Sequence, residues 1–173
     1  MGCSKKDSCI CEILRAVKDI QDAAVEECVC PTNCLLEPLG GLGANNNHYY
    51  DTRVIVLKTA DGSPFHAFYK SITPPAAGAG TTGSTPCVSI YFRVEEVYDN
   101  CCALLRVLEP TGSDTQPVNL VCDLVDKCCI ALNKTCDVVD FNLTNDCITV
   151  DLSCFCAVQC IKDTYVGACI EED

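Results

Sequence analysis

From Cys147 to Ile161 the chain alternates in character. Ile148, Val150, Leu152, Cys154, Cys156, Val158 and Cys160 are apolar or thiol, whereas Thr149, Asp151, Ser153 and Gln159 are polar. A period of two with one apolar face predicts a long strand, in an antiparallel sheet with one side on a core. The same signature recurs over Cys87 to Tyr98, with Ile90, Phe92 and Val94 on one face and Tyr91, Arg93 and Glu95 on the other. Arg53 to Lys58 (RVIVLK) is β-branched and apolar. The turn dipeptide Asp61-Gly62 joins it to Pro64 to Lys70 (PFHAFYK), so the two read as a hairpin. Asp99-Asn100 turns the chain into a further strand over Cys101 to Leu108. Two short β-rich runs, Val118 to Val125 and Asp137 to Leu143, lie in the less decided stretch 109 to 146. About seven short strands with Gly/Pro turns predict a mainly β fold, an antiparallel β-sandwich or flattened barrel.

One segment breaks the β pattern. In residues 7 to 27, Ile10, Ile13, Leu14, Val17, Ile20, Ala24 and Val25 recur at three- and four-residue steps, the stripe of an amphipathic helix. Asp7 or Ser8 can cap it, and Lys18 and Asp22 sit four apart on the polar side. Residues 28 to 51 then carry a cysteine cluster, Pro38, three glycines and Asn45-Asn46-Asn47, which is turn and linker chemistry. Pro74 to Pro86 (PPAAGAGTTGSTP) reads as a flexible low-complexity loop. The expected division is a Cys-rich N-terminal helix and linker, or arm, at 1–48, followed by a β-sandwich core domain at 49–173. The helix either packs on its own domain or docks on a neighbouring subunit.

Composition decides what the cysteines are for. The chain holds 18 cysteines in 173 residues, with no apolar h-region behind Met1. A hydrophobic fraction of 49% supplies a real core, so folding does not depend on disulfides as it does in a tiny scaffold. The formal net charge of -12 disfavours phosphate backbones and anionic membranes, so neither nucleic acid nor membrane is an expected partner. Zinc knuckles commonly read Cys-x-x-Cys and none occurs here, while the thiols of a Cys-x-Cys on a strand sit about 7 Å apart, a poor knuckle. The same absence counts against a thiol oxidoreductase. His66 reads as a satisfied strand histidine, and His48 has no obvious partner. No Ser-His-Asp, P-loop, Rossmann or paired-carboxylate motif is visible. No catalytic residue, cofactor or metal is therefore assigned, and the chain is not expected to be an enzyme.

The thiols divide into two groups. Cys154, Cys156 and Cys160 share the apolar face of the last strand and are candidate core residues. Cys3, Cys9, Cys11, Cys28, Cys30, Cys34, Cys128, Cys129, Cys136, Cys147 and Cys169 fall in termini, loops or polar faces. Exposed thiols at that density pair between chains once oxidant is present, so these are candidate cross-linking cysteines. Cys-x-Cys-x3-Cys occurs twice, at Cys28, Cys30, Cys34 and at Cys154, Cys156, Cys160. Vicinal pairs stand at Cys101-Cys102 and Cys128-Cys129.

The stretches Tyr91 to Leu108 (YFRVEEVYDNCCALLRVL) and Cys147 to Cys160 (CITVDLSCFCAVQC) resemble the two signature segments of the CotZ/CotY/ExsY family. These are cysteine-rich spore coat, crust and exosporium proteins of Bacillus. The early Cys-bearing helix and the segment near Cys34 fit as well. The resemblance implies a structural protein made in the mother-cell cytoplasm without a signal peptide. It implies self-assembly into a two-dimensional lattice at the spore surface, disulfide cross-linking, hexameric units, and other coat or exosporium proteins as partners. The Pro74 to Pro86 loop, the longer Cys-bearing 109 to 146 region and the acidic tail depart from familiar members. They leave open an adaptor or anchor that docks surface filaments or glycoproteins.

Overall fold

The computed structural model describes residues 9–23, 50–70, 86–112, 125–126, 129–130 and 132–168. In chain order these form α1 (Cys9–Ala23), β1 (Thr52–Thr59), β2 (Ala67–Lys70), β3 (Pro86–Ser89), β4 (Phe92–Val97) and β5 (Cys102–Thr111). β6 (Val125–Asp126), β7 (Cys129–Ile130), β8 (Asp140–Asp151) and β9 (Phe155–Thr164) follow, with 3-10 turns at Leu132–Asp137 and Leu152–Cys154. Five strands make one antiparallel sheet in the order β8-β5-β4-β1-β9. β2 pairs with β3, and β6 with β7. A mainly β fold with a helix near the N-terminus is thus what the alternation foretells. The Cys-rich linker up to residue 49, the loop at 74–85 and most of the expected run Val118 to Val125 lie outside the described residues.

Three expected elements are built differently. The segment Cys87 to Tyr98 is two strands, β3 and β4, that join different sheets. The turn at Asp61-Gly62 forms, with Gly62 at φ 84, but its pairing stops at the single bridge Lys58↔Pro64. The Phe65 N–H still donates to the Leu57 carbonyl at 2.8 Å, but the ladder goes no further, and the next strand pairs with β3 instead. His66, expected within that strand, is exposed and precedes it. The long alternation from Cys147 breaks after Asp151, whose carboxylate accepts a hydrogen bond from the Ser153 N–H at 2.9 Å and starts a 3-10 turn.

That break reshapes the sheet. β8 and β9 are neighbours in sequence but occupy opposite edges. A flat five-stranded sheet would hold them about 19 Å apart. The four residue steps from Asp151 to Phe155 span about 14 Å at most. The sheet therefore curls until its edges approach. At the far end of the same seam Lys162 Nζ reaches the Val139 carbonyl at 2.8 Å, and Thr164 Oγ1 reaches Asp140 Oδ1 at 2.6 Å.

Inside the curl lies the main core. Ile55, Leu57, Phe92, Val94, Ala103, Leu105, Val107, Val150 and Leu152 line one face of the sheet. α1 covers this face on the β4, β1 and β9 side with Ile10, Cys11, Leu14 and Val17, and the β2-β3 ribbon brings Ala67, Tyr69 and Cys87 over β5 and β8. Each fully buried aliphatic side chain of α1 contributes about 1.5–3 kcal/mol. The helix expected in an N-terminal arm is thus packed on the sheet of its own chain. A smaller cluster (Val54, Val56, Ile90, Tyr91, Leu108 and Phe141) occupies the other face. Among the described residues no helix is long and apolar enough to cross a membrane.

Polar groups tie helix and sheet together. The β1-β4 ladder has the single pair Ile55↔Phe92. Beyond it the Gln21 carboxamide, 2% exposed, spans the gap. Its Nε2 donates to the Val94 carbonyl at 2.8 Å, and its Oε1 accepts from the Arg53 N–H at 3.1 Å. The side chain of a helix thus takes the place of a peptide group between two strands. Next to it the cross-strand partners Arg53 and Asp163 form a fully buried two-pronged ion pair, with Nε–Oδ1 at 2.8 Å and Nη2–Oδ2 at 2.9 Å.

Candidate functional site

The chemistry this chain can offer lies in its thiols, and the fold sets where they point. Three cysteine pairs, far apart in sequence, arrive at one end of the sheet. The first turn of α1 carries Cys9 and Cys11. The β4-β5 turn carries Cys101 and Cys102, and the 3-10 turn and β9 carry Cys154 and Cys156. Cys11 and Cys101 form a disulfide with a Cα–Cα distance of 5.5 Å. The Leu152 N–H donates to the Cys101 carbonyl at 3.0 Å, and Cys102 stands opposite Asp151. Arg15 Nη2 donates to the Tyr98 carbonyl at 3.1 Å, so the helix grips the same turn twice.

The β4-β5 turn has a local logic. Cys101 N–H donates to the Tyr98 carbonyl and Tyr98 N–H to the Cys102 carbonyl, while Asn100 Oδ1 accepts from the Cys102 N–H at 3.1 Å. This is a three-residue hairpin loop whose last residue takes the left-handed conformation that normally calls for glycine. Cys101 occupies it at φ 60. A cysteine there aims its sulfur at the core face and at α1. Cys102, one step along the strand, turns to the opposite face.

The remaining thiols are spread over the molecule. Cys136 is exposed in the 3-10 turn Leu132–Asp137, beside the far end of β5, where the Val139 N–H donates to the Thr111 carbonyl. Cys147 is exposed on β8, directly across from Arg106. Cys160 is half-buried on β9 opposite Ile55 and packs against the main core. Cys154 and Cys156 are exposed, against the expectation of burial. The reason is phase: the 3-10 turn resets the alternation, and β9 then has an irregularity where the register skips from Ala157 to Phe155, leaving Cys156 unmatched. Its Sγ donates to the Thr59 carbonyl at 2.9 Å.

Cys11 is also corrected. Expected as a cross-linking thiol, it is 1% exposed and bonded within its own chain. Sequence alone assigns no role to Cys101, Cys102 or Cys87, of which Cys87 is buried and disulfide-bonded too. The vicinal Cys101-Cys102 right after a turn dipeptide is the available signal for the first two. Cys9 begins α1 and Cys129 begins β7. Cys3, Cys28, Cys30, Cys34, Cys128 and Cys169 lie outside the described residues. Among the described residues no three His, Cys, Asp or Glu side chains stand where they could share a metal ion.

Charge on the outer face is held in place by pairing. Arg93 and Arg106 are cross-strand partners, an arrangement that like charges disfavour. Glu95 bridges them, with Arg93 Nη1–Oε2 at 2.8 Å and Arg106 Nε–Oε1 at 2.6 Å. Burial pushes the Glu95 carboxyl up, but hydrogen bonds and charge from Arg106 and Arg93 outweigh it and hold the group below its ordinary 4.5. Burial, and then the charge of Glu109, push the Tyr69 phenol well above its usual range, so it stays neutral.

A strand-built domain with a finished core and several thiols on its outside is a cysteine-rich β protein whose available chemistry lies at its surface. The family profile described as Spore coat protein Z matches residues 1–163, and the chain belongs to that family. It is similar to Spore coat protein Z of Bacillus subtilis (strain 168), at 30% identity over 167 residues, covering 94% of this chain and 95% of the relative. No solved structure matches the chain. Membership of that family supports a structural role in the spore coat.

Proposed function

We infer that the chain is a subunit that assembles with copies of itself into a disulfide-cross-linked two-dimensional lattice of the outer coat, crust or exosporium. Other coat proteins are its further partners, hexameric units are its expected building blocks, and it performs no catalysis. One observation carries this reading. Exposed free thiols stand at opposite ends and along an edge of the same folded domain: Cys156 at one end, Cys136 at the other and Cys147 on β8. Cys102 and Thr111 mark those ends on β5, and its 10 residues span roughly 30 Å. A disulfide needs Cα atoms within about 7 Å, so these thiols are beyond each other's reach and suited to partners on other chains. Three or more such points per subunit support a sheet, whereas two would give only a chain.

Electrostatics favours covalent closure. Copies carrying a net charge of -12 repel one another, and salt weakens that repulsion. A disulfide formed between subunits already in contact adds little geometry but removes the route to dissociation. The test is electrophoresis of the oxidised protein after boiling in detergent. A ladder of multimers that collapses to monomer only with reductant supports the reading. Monomer alone under non-reducing conditions overturns it and leaves an adaptor that needs another protein.

A further inference from the structure

We propose that the Cys11–Cys101 disulfide is an internal exchange site, which an exposed thiolate on a second copy attacks at Cys101, so that a cross-link forms without any oxidant. This rests on the cross-linking reading above and deepens it, by naming the electrophile. The two sulfurs are unequally placed. Cys11 is 1% exposed among Ile10, Leu14 and the sheet, whereas Cys101 is half-buried at the tip of a hairpin turn. Cys101 is therefore the less covered partner, and the hairpin tip is the side from which an incoming thiolate approaches the bond. The disulfide-bonded Cys87 is 2% exposed and closed off in the same way as Cys11.

The step balances on its own. A thiol of the second copy, such as Cys136, Cys147 or Cys156, first gives its proton to solvent. Its Sγ then bonds to Cys101 Sγ as the Cys11–Cys101 bond breaks, and the electron pair leaves on Cys11 Sγ, which takes a proton from solvent. One disulfide is consumed, one is formed, and nothing is oxidised or reduced overall. Cys102 does not intercept the reaction, because its side chain lies on the other face of the strand. A thiolate leaving group in apolar surroundings is disfavoured, which makes the exchange slow for a freely diffusing thiol. A thiol held against Cys101 by a docked copy gains the advantage of proximity. The intrachain bond is thus preserved in the isolated subunit and spent on assembly. α1 stays docked afterwards through Ile10, Leu14, Val17 and Gln21.

The test mixes two preparations of the full chain without oxygen or oxidant. One is 15N-labelled, has its disulfides intact and its free thiols blocked with N-ethylmaleimide. The other is unlabelled and fully reduced. Non-reducing mass spectrometry should find unlabelled cysteine joined to labelled Cys101, with labelled Cys11 released as a free thiol. A labelled Cys101→Gly preparation should lose that species, and glycine suits the φ of this turn, so the fold is kept. Linkage at Cys11 or Cys87, or no mixed species, overturns the proposal. Adding diamide to unblocked protein separates the two ideas. A ladder that grows only then removes the exchange step and leaves cross-linking by oxidation intact, whereas no ladder at all removes both.

Discussion

Gln21 gives the sharpest test of how the helix and the sheet depend on each other. Replacing it by leucine keeps the size and the apolar contacts of α1 but removes both hydrogen-bonding arms. The Arg53 N–H and the Val94 carbonyl then face each other unpaired in the interior. Each buried unsatisfied group costs about 1–3 kcal/mol, so the pair costs about 2–6. Burying a leucine instead of a carboxamide returns about 1 kcal/mol. Gln21→Leu should therefore lower unfolding free energy by about 1–5 kcal/mol, measured by urea denaturation followed by circular dichroism. Gln21→Glu is the more specific perturbation. A carboxylate still accepts from the Arg53 N–H but turns a negative charge on the Val94 carbonyl, and burial raises its folded-state pKa. Once protonated, the introduced carboxyl can donate to that carbonyl. This variant should be most stable in acid and lose stability as pH rises through the raised pKa, relative to wild type. A leucine variant within about 0.5 kcal/mol of wild type, or a glutamate variant with no such pH trend, would refute the bridging role.

Four further outcomes follow from the same structure. The Cys11–Cys101 bond closes a sequence separation of 90, so its loss should cost up to about 4.6 kcal/mol by chain entropy. Cys101→Gly should regain about 1–2 kcal/mol over Cys101→Ser, because only glycine is at ease at φ 60; thermal unfolding of the pair compares them. Asp163→Ala strands the Arg53 guanidinium in the core and should cost about 3–5 kcal/mol, read from denaturant midpoints. Glu95 titrates below its ordinary 4.5 in the folded chain, so its contribution is present above that value and lost as pH falls through the depressed one. Glu95→Gln should accordingly flatten the acid side of the stability–pH curve, and an unchanged curve would contradict the bridging role between Arg93 and Arg106.

Much of this architecture was legible in the amino-acid pattern, and its failures share a cause. Phe92 and Val94 face the main core and Arg93 and Glu95 the opposite side, as the alternation predicts, but Ile90 joins Tyr91 in the smaller cluster, because the expected single strand breaks between β3 and β4, and β4 itself carries an irregularity between Val94 and Glu96. Cys154 and Cys156 were misplaced because alternation carries no mark of a 3-10 turn or a skipped residue, and either one inverts every side chain beyond it. Gln21 follows Leu14 and Val17 at helical spacing, so its position pointed inward. Only its polar side chain argued for solvent, and the missing β1-β4 pairs that need it are a property of the tertiary fold. Arg53 and Asp163 lie 110 residues apart and Cys11 and Cys101 lie 90 apart, distances at which no local pattern speaks.

The central claim is that shape builds an ordered sheet and thiols lock it. Negative-stain electron microscopy of the purified full chain, with and without reductant, addresses it most directly. Ordered sheets or rings under both conditions, resistant to detergent only when oxidised, are the predicted result. Small separate particles under both conditions would contradict it.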